Sequence, residues 1–214
     1  MKPPRETTIV VAKVLVFLLC LLPLGHLVWD VAQQTLGPDP VAAAMFERGD
    51  WALRLLLITL AITPLRRLTG VAALIRLRRM LGLFAFFYAT VHLAIYLVID
   101  LGGFWRQLFS EIVKRPYITV GFLAWLLLVP LALTSTKGMM RRLGRRWGRL
   151  HKLVYAIGLL AVLHYLWQVK FGQKIAVREP LIYLAIYLAL MAARLPWPAW
   201  FARLRSSVRP ESGT

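Results

Sequence analysis

Six stretches of this chain are apolar over close to the length a helix needs to cross a lipid bilayer, and that pattern leaves few folds open. A bilayer's hydrocarbon core is about 30 Å thick, which a helix covers in about 20 residues. The stretches run over residues 8–28, 51–65, 80–99, 117–135, 150–168 and 181–197. The second is short for a full crossing unless the weakly apolar segment 41–46 leads into it. Hydrocarbon offers no water to backbone amides and carbonyls, so the predicted fold is an all-α bundle of six transmembrane helices. The balance of 59% hydrophobic and 17% charged residues excludes a water-soluble globular domain.

The first stretch follows Lys2 and Arg5 in the manner of a signal peptide, but its apolar part is long and no clear small-x-small cleavage site follows. It is predicted to remain as a membrane helix. No internal repeat of 20–50 residues is evident, so residues 1–205 read as one transmembrane domain and the polar residues 206–214 as a disordered cytoplasmic tail. Orientation follows from the basic residues, which resist translocation. Of 27 Lys and Arg, 19 fall in the N-terminal segment, the 66–79 and 137–152 connections and the C-terminal segment from Arg194 on, while the opposite side carries 7 of the 9 acids. Both termini are therefore expected in the cytoplasm. Trp29, Trp51, Trp105, Trp147 and Trp167 fall near span ends, where an amphipathic indole is well placed. The formal charge of +18 reads as basic loops against anionic headgroups rather than as a nucleic-acid surface. The single cysteine, Cys20, removes any internal disulfide and any cysteine-ligated metal centre within the chain.

Polar side chains are costly in lipid and mark function, so the intramembrane histidines are the most informative residues. His92 lies 13 residues after Arg79, and His164 lies 12 residues after Lys152. At 1.5 Å per residue, both imidazoles sit about 18–20 Å above the cytoplasmic boundary, on two helices that rise in the same direction. Depth-matched imidazoles on separate helices are what a six-coordinate haem needs, because the porphyrin plane is clamped from both sides. Separate hydrogen bonds to neighbouring helices are the structural alternative, and a proton relay or metal-ion path is the functional one. No intramembrane acid accompanies the pair to carry protons or balance a cation, which also disfavours a small permease or channel.

His151 sits at the cytoplasmic mouth of the fifth span, 13 residues before His164, which leaves room for a second cofactor about 20 Å away. On an ideal helix the two side chains are about 140° apart in azimuth, so a shared face requires a bend, which Gly158 would permit. On the third span, Arg78 and Arg79 stand opposite His151. A guanidinium does not ligate iron but binds porphyrin carboxylates or a flavin phosphate well. Arg54 lies one turn inside the outer end of the second span, at a depth suited equally to snorkelling and to reaching a haem propionate. Arg106, Lys114 and Arg115 in the outer loop suit the same role or a partner. His26, beside Trp29 and Asp30, reads as an interfacial histidine paired with water or acid.

Five segments carry a resemblance: GDWALRLLLITLAITPLRRLTG (49–70), RLRRMLGLFAFFYATVHLAIY (76–96), KRPYITVGF (114–122), LALTSTKGMMRRLGRRWGRLHKLVY (131–155) and LHYLWQVK (163–170). Together, ITPLRR, RPY, TST and W-x-x-L-H closely resemble the MsrQ (YedZ) family, haem-binding membrane subunits of periplasmic methionine sulfoxide reductase systems, within the wider ferric-reductase-like transmembrane group. The resemblance spans residues 38–196. It implies a b-type cytochrome of the bacterial inner membrane with one or two haems. Electrons would pass from the quinone pool or a cytoplasmic flavin reductase to the periplasmic molybdopterin enzyme MsrP, which repairs methionine sulfoxide in oxidised proteins. The family's histidines fall on His92, His151 and His164, while His26 matches no family motif. The resemblance also allows FMN without placing it. Larger ferric reductases carry two histidines on each of two helices, whereas the third span here carries one. Arg54, Arg78 and Arg79 are expected to raise the potential of any haem they approach. No glycine-rich dinucleotide loop is present, so NAD(P)H binding by this chain is not expected.

Overall fold

The protein is described by a computed structural model that covers residues 6–103, 105–172 and 178–195, without the side chains of residues 105–107 and 170–172. The predicted tail at 206–214 and the last two residues of the sixth stretch lie outside the described residues, as do the side chains of Trp105 and Arg106. Among the described residues the regular structure is entirely helical: α1 (Glu6–Gln33), α2 (Pro40–Thr69), α3 (Arg78–Ile95), α4 (Trp105–Lys114), α5 (Pro116–Leu133), α6 (Lys137–Leu143), α7 (Arg145–Leu150), α8 (Leu153–Gly172) and α9 (Arg178–Ala192). A 3-10 turn at Ala72–Arg76 leads into α3, which ends in a π-helical turn at Tyr96–Asp100.

A helix stands at each of the six predicted stretches. Four helical segments, Glu6–Gln33, Arg78–Asp100, Pro116–Leu133 and Arg145–Val169, are long and apolar enough by length and composition to cross a membrane. The short second stretch gains length at its N-terminal end, because Asp39 caps α2 through its carboxylate on the Ala42 amide at 3.0 Å and Pro40 opens the first turn. The result is a helix of 30 residues whose first half carries Glu47, Arg48, Asp50 and Arg54. Gly70, at φ 71°, closes it with its amide on the Arg66 carbonyl. The sixth helix is 15 residues long as described.

Two hairpins form the centre. α2 packs most extensively on α3 and α5 on α8, with α9 against α8 and α2. Leu60, Tyr88, Ile157 and Val162 have no appreciable exposure at this junction. α1 lies outside, and its Leu19 and Leu22 are 61% and 63% exposed, as suits a lipid-facing helix.

α1 is nonetheless fastened at one level. Pro23 interrupts its hydrogen-bond ladder, since proline has no amide proton. At that level the Tyr88 hydroxyl accepts from the Leu24 amide at 3.1 Å and donates to the Cys20 carbonyl at 2.7 Å, two groups that an α-helix would pair with each other. The fully buried Arg48 donates to the Pro23 carbonyl and pairs with Glu47, and its guanidinium carbon lies 5.9 Å from the Tyr88 ring centre. Arg194 plays a similar part on α2. The Leu60 carbonyl, four residues before Pro64, loses its helical donor and receives one from the Arg194 guanidinium.

The fifth predicted span differs from the continuous helix expected of it. His151 and Lys152 form a tight turn between α7 and α8, with i→i−3 bonds from Val154 to His151 and from Tyr155 to Lys152. The interruption therefore lies at His151 itself. Gly158 serves packing instead, since a Cβ there would stand 2.9 Å from Tyr187 Cε2 and 3.2 Å from Leu60 Cδ1.

Candidate functional site

The α2–α3 and α5–α8 hairpins enclose a cavity of about 880 Å³ that reaches from the middle of the bundle to the end where α2 and α5 begin, the end expected to face outward. Its walls are mainly apolar, with Leu56, Ala85, Leu128 and Ile157 at the inner end and Asp39, Lys114 and Arg115 at the outer mouth. His92 from α3 and His164 from α8 both face into it. Their ring centres are 6.2 Å apart and the ring planes meet at 77°.

The hydrogen bonds assign the tautomers. His92 Nδ1 lies 2.8 Å from the Met45 carbonyl, and His164 Nδ1 lies 2.7 Å from the Tyr117 carbonyl. A carbonyl only accepts, so each Nδ1 carries the proton and each Nε2 keeps its lone pair. Among the described residues nothing hydrogen-bonds either Nε2. A backbone carbonyl on the second ring nitrogen is the usual orienting partner of a metal-ligating histidine.

Each ring also rests on a glycine. A Cβ built on Gly49 would stand 2.9 Å from His92 Nδ1, and one on Gly121 would stand 2.6 Å from His164 Nδ1. The two halves match in register: each histidine follows its acceptor carbonyl by 47 residues, and each glycine lies one helical turn beyond that carbonyl. An offset of 72 residues thus superposes Met45, Gly49 and His92 on Tyr117, Gly121 and His164. This correspondence is longer than the 20–50-residue repeats sought in the sequence, and few identical residues mark it.

The spacing of the rings tests whether a haem fits. With metal–imidazole bonds of about 2 Å and about 1.1 Å from nitrogen to ring centre, two coaxial imidazoles on one metal stand about 6.3 Å apart. The observed 6.2 Å agrees, and an 880 Å³ apolar slot suits a macrocycle.

His151 occupies a different setting near the inner ends of the helices. Its Nδ1 lies 3.1 Å from the Trp147 carbonyl, its ring stacks on the Trp147 indole with centres 3.9 Å apart, and its Nε2 is 3.5 Å from Ser135 Oγ. Trp147 is held in turn by its indole N–H on the Thr134 carbonyl at 3.0 Å. Arg78 lies near enough to act on His151 electrostatically. Arg79 points toward the Met140 sulfur, 3.9 Å away. By the same 72-residue offset, Arg79 is the counterpart of His151.

The remaining sequence candidates are placed as follows. Arg54 pairs with Asp50, donates to the Tyr183 hydroxyl at 2.9 Å and lies over Trp51; it is not part of the cavity wall. Arg115 and Lys114 do reach the wall. Arg115 lies outside the spans, where the Tyr117 hydroxyl at 3.2 Å and Glu111 raise its pKa further above the ordinary arginine value. His26 pairs with Asp30 at 2.8 Å, an acid partner of the kind expected. Sequence reasoning passed over Gly49, Gly121, Arg48, Tyr88 and Ser135. The detectable signals were a glycine inside an apolar helix and a buried-length Glu-Arg pair beside it.

Compared with known proteins, residues 48–162 match the family described as ferric reductase like transmembrane component. A protein-methionine-sulfoxide reductase heme-binding subunit MsrQ from Xanthomonas oryzae pv. oryzae (strain MAFF 311018) is 60% identical over 201 residues, covering 91% of this chain and 88% of the relative. The protein of the same description from Xanthomonas axonopodis pv. citri (strain 306) has the same identity and coverage. That from Herminiimonas arsenicoxydans is 47% identical over 206 residues, covering 96% and 92%.

Proposed function

This chain belongs to the MsrQ family of ferric-reductase-like membrane proteins, and from that premise we propose that it is a haem b electron conduit with His92 and His164 as the axial ligands of its outer centre. The observation that most supports the reading is the pair of imidazoles 6.2 Å apart, each with Nδ1 on a carbonyl and Nε2 without a hydrogen-bond partner among the described residues. When bound, the haem supplies one-electron redox chemistry. The protein's part is to hold both imidazoles in one tautomer, exclude water with apolar walls, and place Lys114 and Arg115 at the mouth for the propionates. Arg54, held by Asp50 and Tyr183, adds positive charge nearby without lining the cavity.

His151, with Arg78 near it and Arg79 beside Arg78 in sequence, serves a second, inner site that takes a further haem, with FMN as the alternative occupant; metal-to-flavin stoichiometry tells them apart. All six helices cross the bacterial inner membrane in this reading, with both termini in the cytoplasm. The 30-residue α2 is about 45 Å long, enough to span with its charged first half at the outer surface. Electrons enter from the quinone pool or a cytoplasmic flavin reductase. They leave through the outer centre to MsrP, the periplasmic molybdopterin enzyme that reduces methionine sulfoxide.

Absorption spectroscopy of the detergent-purified protein tests the reading. A Soret band that shifts on dithionite reduction is expected, with its outer component missing from both His92→Ala and His164→Ala. Absence of the band in the wild type, or full haem content in both variants, overturns it.

A further inference from the structure

We propose that Gly49 and Gly121 are positioning residues that fix the two imidazole planes near perpendicular, and so set the electronic character of the ferric centre. The inference rests on the reading that His92 and His164 ligate one haem, and it goes further by saying what the helices opposite them do.

Bonds to the metal leave an imidazole free to turn about its metal–nitrogen axis, so the angle between two axial rings must be set by something else. Here each ring is held twice. Its Nδ1–H is aimed at a carbonyl, Met45 on one side at 2.8 Å and Tyr117 on the other at 2.7 Å. One turn further along the same helix, the ring lies against a glycine. The atoms closest to a Cβ built on Gly121 are Nδ1, Cε1 and Cγ of His164, at 2.6, 2.7 and 3.0 Å; on Gly49 the same three atoms of His92 lie at 2.9, 3.1 and 3.5 Å. Any side chain larger than hydrogen at either position would require the imidazole to turn or retreat. A carbonyl in the ring plane and a glycine beside the ring together leave one orientation.

The same device appears in both hairpins, at the same spacing. The angle between the rings is consequently a property of how the hairpins are related, and it is 77°. Parallel axial imidazoles split the iron d orbitals and give a rhombic three-line ferric spectrum. Near-perpendicular planes keep two of those orbitals close in energy, which gives one highly anisotropic low-spin signal at low field.

The experiment is low-temperature electron paramagnetic resonance of the oxidised, haem-loaded protein, recorded for the wild type, His151→Ala, Gly49→Ala and Gly121→Ala. The His151→Ala sample isolates the outer centre. The expected result is the low-field anisotropic signal in the wild type and in His151→Ala. In Gly121→Ala, with haem retained, it moves toward the rhombic form or gives way to a high-spin signal. Gly49→Ala behaves alike with a smaller shift, because its contacts are longer. A rhombic outer-centre signal in the wild type overturns the proposal, as does an unchanged signal in both glycine variants. Should both variants lose haem altogether, the wild-type and His151→Ala spectra decide alone. Failure of the underlying ligand assignment looks different: His92→Ala and His164→Ala would each keep a low-spin haem of bis-imidazole type.

Discussion

The two ends of the central hairpins share a register but differ in how closely their two sides match. At the outer end the match is full, with the same carbonyl, glycine and histidine in the same register on both sides. At the inner end one side presents His151, flanked by Trp147 and Ser135, and the other presents Arg79. The two hairpins thus match where both present a histidine and differ where the register position of His151 is held by Arg79. Arginine offers no lone pair, so the two ends cannot bind a metal in the same way.

Breaking the outer end should have the largest effect. His92→Ala and His164→Ala are each expected to abolish the outer haem, read as loss of its component from the reduced-minus-oxidised spectrum. His151→Ala should leave that component intact while lowering total cofactor content, measured by haem and flavin stoichiometry; loss of both centres together would mean the ends are not separate sites. The comparison can be sharpened by completing the match. Arg79→His supplies the missing imidazole and is expected to give the inner centre a bis-imidazole low-spin spectrum, with the outer signal unchanged.

Smaller effects belong to packing. Gly158→Ala places a methyl 2.9 Å from Tyr187 Cε2, and overpacking of this kind costs about 1–3 kcal/mol. It should lower the thermal unfolding midpoint with the outer haem spectrum preserved. Tyr88→Phe removes the hydroxyl shared by the Leu24 amide and the Cys20 carbonyl, and should cost about 1 kcal/mol by the same measurement. Ser135→Ala should do least. Its hydroxyl donates to the Leu131 carbonyl at 2.6 Å, a local bond back to the preceding helical turn that adds little net stability, and its 3.5 Å contact to His151 Nε2 is marginal, so a change of about a few tenths of a kcal/mol is expected.

Hydropathy alone located a helix for every predicted stretch, because apolar length is a strong signal and lipid leaves no alternative to helix. Counting residues from the basic boundaries placed His92 and His164 at one depth, and their rings are in fact neighbours. Depth was legible because rise per residue is nearly constant; azimuth was not, because it depends on interruptions that single residues cause. The turn at His151–Lys152 is such a case, and a bend at Gly158 was the wrong place to look for it. Arg54 shows a second limit. Its depth suited snorkelling and a propionate equally, and depth gave no sign of the partners it has, Asp50 one turn before it and Tyr183, 129 residues away. The cradle glycines were legible only in part, for a third reason. A glycine in an apolar helix announces a close approach, but what approaches it comes from another helix.

The Tyr88 bridge has a consequence for biogenesis. Tyr88 lies 64 residues after Leu24, so α1 is synthesised and delivered to the bilayer well before the hydroxyl that completes its backbone exists. Until α3 arrives, the Leu24 amide and the Cys20 carbonyl lack their shared hydroxyl while Arg48 of α2 already serves the Pro23 carbonyl, and the first helix enters the lipid as a provisional partner. Its final seat against the bundle is granted by the third. Truncation after α2 should therefore leave α1 inserted but loosely held, with the Leu24 amide exchanging faster than in the full-length protein.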